Sequence, residues 1–508
     1  MFQAPEISYL ALLPMIIVFV GGLVGVMVEG FAGRGLRYAV QVPLTVATLV
    51  IALASLFVAA DHAGLTAAEA VSIDSPTLML QGLLLVLGVL GVMVMSERLG
   101  GSTPDAFTQA GVSVPGSAQE SEAVRLGATT TEVFPLTLFS IGGMMLFVAA
   151  NDLLVMFIAL EVLSLPLYIL SGLARRRRLL SQEASLKYFL LGAFSSAFFL
   201  FGATLLYGFA GSMRLGEIAS AISTGSGMDG LLLPGIMLVA VGLLFKVSAV
   251  PFHAWTPDVY QGAPTPVTGF MAAATKVAAF GAMLRVLYVA LEGARADWQP
   301  VLAVVAALTM AVGALMSVVQ TDMKRILAYS SIAHAGFILT GVLAMDSLGI
   351  SSTIFYLIAY GFMTLPAFAL IALVRSSGSE ATHLSQWTGL AQRSPWLAAT
   401  MTFLLMAFAG IPLTSGFTGK FAVFGAAVST GGWWLALIGV LASAVTAYIY
   451  FRIVVTMYSG ERRGDTVVVR PSWLTTAVVA TGVLVTLGLG VLPSPVLDLA
   501  ANATQFLR

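Results

Sequence analysis

The sequence predicts an all-α polytopic membrane protein of about fourteen transmembrane helices, containing two inverted five-helix repeats with discontinuous helices. Three observations carry that prediction. The 508 residues are 58% hydrophobic and only 9% charged, a composition outside the range of soluble globular domains. Apolar runs of hydrocarbon-spanning length, about 20 residues, recur from one end of the chain to the other. Ionisable residues inside those runs are related by nearly constant offsets between the two halves.

The runs lie near 8–29, 38–60, 73–96, 133–150, 153–173, 185–210, 231–250, 264–290, 299–319, 326–345, 352–374, 395–428, 432–458 and 473–493. No basic stretch precedes the first run and no small-residue cleavage site follows it, so it is read as a retained helix and not a signal peptide. The segment from Glu97 to Glu132 is rich in Ser, Thr, Gly and acids and lacks helical periodicity, which predicts a flexible cytoplasmic loop. The expected organisation is a three-helix segment plus that loop over 1–132, a first repeat over 133–290, a second over 299–458 and a C-terminal helix over 473–508.

Basic residues set the orientation. Arg34, Arg37, Arg98, Arg125, Arg175 to Arg178, Lys324, Arg325, Arg375, Arg393, Arg462, Arg463 and Arg470 fall in alternate loops, which are therefore read as cytoplasmic. The opposite loops and the C-terminus carry only Arg214, Arg295 and Arg508, so both termini are expected on the external side. The run Arg175 to Arg178 is read as an exposed topogenic anchor.

The lysines invert this distribution. Of five, Lys187, Lys246, Lys276 and Lys420 lie inside or at the edge of apolar runs. An ammonium near the bilayer centre costs roughly 2.5–3.5 kcal/mol on insertion scales, and lysine, unlike arginine, can release its proton when desolvated. Two of these lysines adjoin helix-breaking chemistry: Lys246 precedes Pro251 and His253, and Lys420 follows Gly410, Pro412, Gly416 and Gly419. Breaks free backbone polar groups that are tolerated within a membrane only against protein or a wet cavity, where ion sites are built. Lys246 and Lys420 are 174 positions apart, Glu161 and His334 are 173, and Lys276 and Arg452 are 176. Five helices separate each pair, and an odd number inverts the second copy.

Glu161, the one acid deep in an apolar run, is expected to be neutral or paired, and a lysine is the favoured partner over a purely structural pin. Lys246 and Lys276 flank a predicted turn at Asp258 to Gly262 and reach similar depth, where their mutual repulsion favours proton exchange. His253, between them in sequence, is either a relay or a satisfied core histidine. Lys420 is a proton carrier or the partner of an acid on another subunit. Lys187 starts its run and is a relay or a snorkelling side chain. Arg285 and Arg452 are expected in structural pairs, and His334 is a weaker relay candidate. No phosphate-binding glycine loop, metal-spaced cluster or nucleophile elbow is present. The net charge of zero argues against nucleic-acid partners, and the absence of cysteine excludes disulfides and cysteine-ligated clusters in this chain.

Four segments carry a resemblance to a known family: Ser181 to Gly202 (SQEASLKYFLLGAFSSAFFLFG), Lys246 to Phe270 (KVSAVPFHAWTPDVYQGAPTPVTGF), Lys324 to Gly336 (KRILAYSSIAHAG) and Gly410 to Phe421 (GIPLTSGFTGKF). They resemble the subunit N family of the bacterial proton-pumping NADH:quinone oxidoreductase, respiratory complex I. The resemblance implies an antiporter-like fold in a bacterial cell membrane, in contact with other complex I membrane subunits including sister antiporter-like subunits. It implies proton-transfer roles for Glu161, Lys246, Lys276 and Lys420, places His253 and Lys187 on motif positions, and assigns no cofactor to this chain. NADH, FMN, iron–sulfur clusters and quinone are expected in partner subunits. The expected mechanism has Glu161 paired with Lys246. Separation of the pair then sends a proton past His253 and Lys276 toward Lys420 and the outside. A subunit of a multisubunit sodium/proton antiporter and a passive scaffold remain the alternatives.

Overall fold

The computed structural model describes residues 7–98, 105–108, 117–119, 122, 130–225, 227–376, 379–460 and 466–507. Most of the loop predicted between 97 and 132 lies outside the described residues, as do Arg125, Arg462, Arg463 and Arg508. The crossing helices are α1 (Leu13–Phe31), α2 (Arg34–Ala60), α3 (Ser75–Met95), α4 (Val133–Ala149), α5 (Leu153–Ser171) and α6 (Arg178–Ala210). A short surface helix, α7 (Leu215–Thr224), leads to a crossing broken into α8 (Asp229–Val247) and α9 (Trp255–Gly262). Then come α10 (Thr265–Arg285), α11 (Arg295–Val318), α12 (Met323–Val342) and α13 (Ser347–Leu373). A second broken crossing, α14 (Pro395–Ala409) with α15 (Ser415–Ser429), precedes α16 (Trp433–Tyr458), α17 (Trp473–Val491) and the short α18 (Ser494–Asn502). Fourteen apolar segments thus cross the molecule among the described residues, in the positions the hydropathy runs predict.

Local chemistry sets the ends. Asp74, Asp152, Asp322 and Asp346 accept from backbone N–H groups of the first turns of α3, α5, α12 and α13, a preferred N-cap arrangement. The predicted turn at Asp258 to Gly262 is instead helix α9, and the chain turns at Ala263 and Pro264, because a residue preceding proline is driven out of the α region. Helix α6 begins seven residues before its apolar run, at Arg178, so Lys187 lies well inside a helix of 33 residues.

Every residue of α10 is buried, and the helix packs on α13, α3 and α4. Outward positions are apolar and exposed, among them Phe57, Phe201, Leu315 and Leu441, as expected of a surface solvated by lipid tails. The two repeats show the same close approach. A Cβ on Gly143 of α4 would lie 2.4 Å from the Leu163 nitrogen of α5, and one on Gly313 of α11 would lie 2.4 Å from the Ala333 nitrogen of α12. Gly143 and Gly313, Leu163 and Ala333, and the capping residues Asp152 and Asp322 are each 170 positions apart. This register makes Ser164 the counterpart of His334 and Ser331 that of Glu161, a correction to the 173-residue match of Glu161 with His334. Each repeat has five crossings, which inverts the second against the first.

The loops rich in basic residues converge on one face. There β3 (Val374–Ser376) pairs antiparallel with β4 (Ser379–Glu380) and with β5 (Thr466–Val468). The arginine run is not simply exposed: Arg175 is buried and joined to Asp105 at 2.5 Å, Arg178 is buried, and Arg177 donates to Thr382. Burial pushes the Asp105 carboxyl above its ordinary range even though Arg175 opposes the shift. The opposite face holds the hairpin of β1 (Gly64–Thr66) and β2 (Val71–Ile73). Ser8 N–H donates to Thr66 and Leu507 N–H donates to Asp74, so both described chain ends lie on this face.

Candidate functional site

Both broken crossings leave carbonyl oxygens inside the molecule, and lysines occupy them. In the first, α8 ends at Ser248 in a left-handed conformation, and the Lys276 ammonium of α10 donates to Val247 O at 2.9 Å. The Trp255 indole takes Phe245 O at 3.0 Å, and Thr309 accepts from Val250 N–H. In the second, α14 ends at Gly410 with φ +84, and Lys420 reaches back from α15 to Phe408 O and Ala409 O, both at 2.9 Å, and to Ser443 at 2.7 Å. Gly416 permits this closeness, since a Cβ there would stand 1.9 Å from Ala407 O.

Lys246 ends α8 beside Val247. It is buried and donates to the Ser164 hydroxyl at 2.6 Å, with Tyr188 and Tyr168 ring centroids at 5.4 and 5.9 Å. Glu161 lies one turn from Ser164 on the same face of α5 and within electrostatic reach of Lys246. The expected direct Glu161–Lys246 ion pair is not formed; Ser164 stands in the contact, and Glu161 Oε1 is buried without a hydrogen-bond partner. Lys276 and Lys420 both lie within electrostatic reach of His334, whose Nδ1 is 2.8 Å from the Tyr356 hydroxyl. The side chains therefore form one file: Glu161, Ser164, Lys246, Lys276, His334, Lys420 and Ser443. Among the described residues no carboxylate other than Glu161 enters it.

Two predicted members stand aside. His253 lies in the first break, partly exposed, and no described hydrogen bond joins its ring to Lys246 or Lys276. The fold brings His334 between the lysines because α12 packs against both α10 and α15. Lys187 is ion-paired at the surface with Asp258 (2.7 Å) and Glu183 (2.6 Å), and Asp258 continues to Arg325 at 2.7 Å. Arg285 forms the expected structural pair, with Asp74 at 2.7 Å. Arg452 donates to Val318 O.

Other functional candidates were not evident from sequence. Ser164, Ser443 and Tyr356 look like ordinary helix residues until a lysine or histidine meets them. Lys324, read only as a topogenic charge, is buried and donates to Ala263 O at 2.6 Å, with Glu380 at 3.4 Å. The capping Asp322, two residues ahead of it, was the available sign that the helix starts there. Among the described residues no group of three or more His, Cys, Asp or Glu side chains is placed to hold a metal ion.

The family described as NADH:quinone oxidoreductase/Mrp antiporter, TM, matches residues 150–446, the stretch that contains the whole file. NADH-quinone oxidoreductase subunit N of Rhodococcus opacus (strain B4) is 55% identical over 525 residues, covering 99% of this chain and 97% of that one. The chain belongs to the NADH-quinone oxidoreductase subunit N family. A chain of respiratory complex I from Thermus thermophilus with bound aureothin is similar to this subunit N family member with a TM-score of 0.77 and 34% identity, covering 96% and 99% of the two chains. A chain of the Mrp complex from Dietzia sp. DQ12-45-1b gives a TM-score of 0.81 at 21% identity, covering 98% and 97%. At that identity the likeness speaks for the antiporter-like fold alone. The chain is a multi-pass membrane protein of that fold.

Proposed function

We propose that this chain translocates protons across the bacterial cell membrane as a non-redox subunit of an NADH:quinone oxidoreductase. Its partners are the other membrane subunits, sister antiporter-like chains included, and the assembly holds NADH, FMN, iron–sulfur clusters and quinone outside this chain. The observation that carries the reading is the buried file, in which three lysines are held by hydroxyls and freed carbonyls. A lysine on neutral acceptors can give up its proton without abandoning a carboxylate.

In this reading, residues 133–290 and 299–458 are the two repeats that share the file, 1–132 and 473–508 flank them, and the face bearing both chain ends is external. Glu161 approaches Lys246 when the drive from the redox partners rearranges the Ser164 contact, and retreats to release it. The proton then moves by Lys276 and His334 to Lys420. Each proton moved against 100 mV costs about 2.3 kcal/mol, which the redox partners supply.

The test is Lys246→Met in the assembled complex, reading acidification of inverted vesicles against NADH oxidation. Fewer protons per NADH are expected. Unchanged pumping by an assembled variant sinks the proposal, and sodium-dependent exchange without NADH would move the chain to an antiporter role.

A further inference from the structure

Helices α12 and α15 run side by side past Lys420, and their side chains alternate by single turns. On α12 the order is His334, Phe337, Thr340; on α15 it is Lys420, Phe424, Ala427. The first member of each series belongs to the polar file. The last of each lines a cleft of about 290 Å³, bordered also by Gln299, Ala303, Thr430 and Trp434. At about 30 Å³ per water, this volume accommodates several waters. The cleft sits where α11 and α16 begin and α12 and α15 end, so it opens on the face that carries both chain ends.

Between file and cleft stands one apolar layer. Phe337 and Phe424 meet edge to face with ring centroids 5.8 Å apart. The Lys420 ammonium lies 5.1 Å from the Phe337 centroid, and His334 packs on the same ring at 5.4 Å. On the other side Phe424 presses on Gly439 of α16, where a Cβ would come within 2.5 Å of its ring. Buried Met310 closes the remaining side, with its sulfur 3.9 Å from the Thr340 hydroxyl, which is itself buried and donates to Gly336 O at the floor of the cleft. The layer is one helical turn thick, about 5.4 Å. A constriction that thin and that apolar holds water out when its rings are together and admits a water file when they part.

We propose that Phe337 and Phe424 form a hydrophobic gate between Lys420 and an external water-filled cleft. The proposal rests on the proton-carrying reading above and names the last barrier in it. With the gate shut, a protonated Lys420 is kept from external water and from back-reaction. Parting the two rings lets water reach the ammonium.

The test uses the complete complex in sealed proteoliposomes, with single cysteines placed in a chain that has none of its own. An impermeant maleimide is added from the external side and this chain's mass is read. Thr430→Cys, exposed in the wall of the cleft, is expected to react. Lys420→Cys is expected to stay unmodified while both rings are present, and to react at least several-fold faster when combined with Phe337→Ala or Phe424→Ala. Phe337→Leu, which keeps the layer apolar and filled, should leave it protected. Should Phe337→Ala fail to assemble, Phe424→Ala at the less buried rim reads the same gate.

An unreactive Thr430→Cys overturns the proposal, as does a Lys420→Cys labelled with both rings intact or one still protected after either alanine. These readouts are independent of transport. Correct labelling together with normal pumping by Lys246→Met would keep the gate and remove the function assigned to the file.

Discussion

Lys276 and Arg285 stand nine residues apart on the same helix, each almost wholly sealed from solvent, with exposures of 1% and 0%. Their surroundings differ in kind. Arg285 donates to both carboxylate oxygens of Asp74, to Thr77 and to Val148 O, and the ring of Phe506 covers it at 5.0 Å. Lys276 donates to one backbone carbonyl left over from a broken helix. The first cation is permanently charged and clamped by an opposite charge; the second is removable and held by a dipole. One helix therefore carries a structural anchor at the end that faces the chain termini and, in the function proposed above, a proton carrier at its middle. The choice between lysine and arginine marks which is which.

The contrast breaks most violently at the anchor. Asp74→Asn keeps the shape and most hydrogen-bonding capacity but leaves the guanidinium buried without a counter-charge. Removing one partner of a buried pair costs about 3–5 kcal/mol, so the variant is expected to accumulate poorly in the membrane, measured as the level of assembled complex on native gels. Normal accumulation and unchanged thermal stability would show that the pair is not an anchor.

At the middle of the helix the expected losses separate. Lys276→Met leaves Val247 O without its donor, costing about 1–3 kcal/mol, so assembly is reduced less than in Asp74→Asn while pumping is lost. Lys276→Arg restores a donor and a charge that does not leave. Assembly near wild type with fewer protons pumped per NADH is the expected pattern, and full pumping by Lys276→Arg would show that this position need not release a proton.

Much of this was legible in the sequence. Every crossing was visible as an apolar run because bilayer thickness dictates the length, and both breaks were visible because glycine and proline next to a lysine conflict with a continuous apolar helix. The partners were not. Which acceptor a buried lysine finds depends on what the neighbouring helix offers at that depth. A serine such as Ser164 reads in sequence as a small packing residue, whereas Glu161 three residues earlier reads as the obvious counter-charge. The repeat register also slipped by three. Matching by charge joined Glu161 to His334, while the backbone equates positions by the glycines that let helices touch, Gly143 and Gly313. The partners of Lys324 were hidden for a related reason: a basic residue at a helix start reads as an orientation signal, and the strand from a distant loop that brings Glu380 to it leaves no mark beside it in sequence.

Lys324 supplies the mildest test, because it is the buried lysine that does carry an acid. Burial pushes the Glu380 carboxyl up, but the Lys324 charge, the Thr265 donor and the Arg375 charge outweigh it and hold the group below its ordinary 4.5. A carboxyl whose folded value is depressed contributes stability that is present above its unfolded value and disappears as pH falls through the folded one. Thermal unfolding of the detergent-purified complex, followed from about pH 6 down to about pH 3.5, is therefore expected to fall more steeply in the wild type than in Glu380→Gln, the two curves converging at the acid end. Parallel curves would mean that Glu380 is not stabilised by Lys324. The distinction between buried cations ion-paired to acids near the faces and lysines held by neutral acceptors in the file would then rest on Arg285 and Arg175.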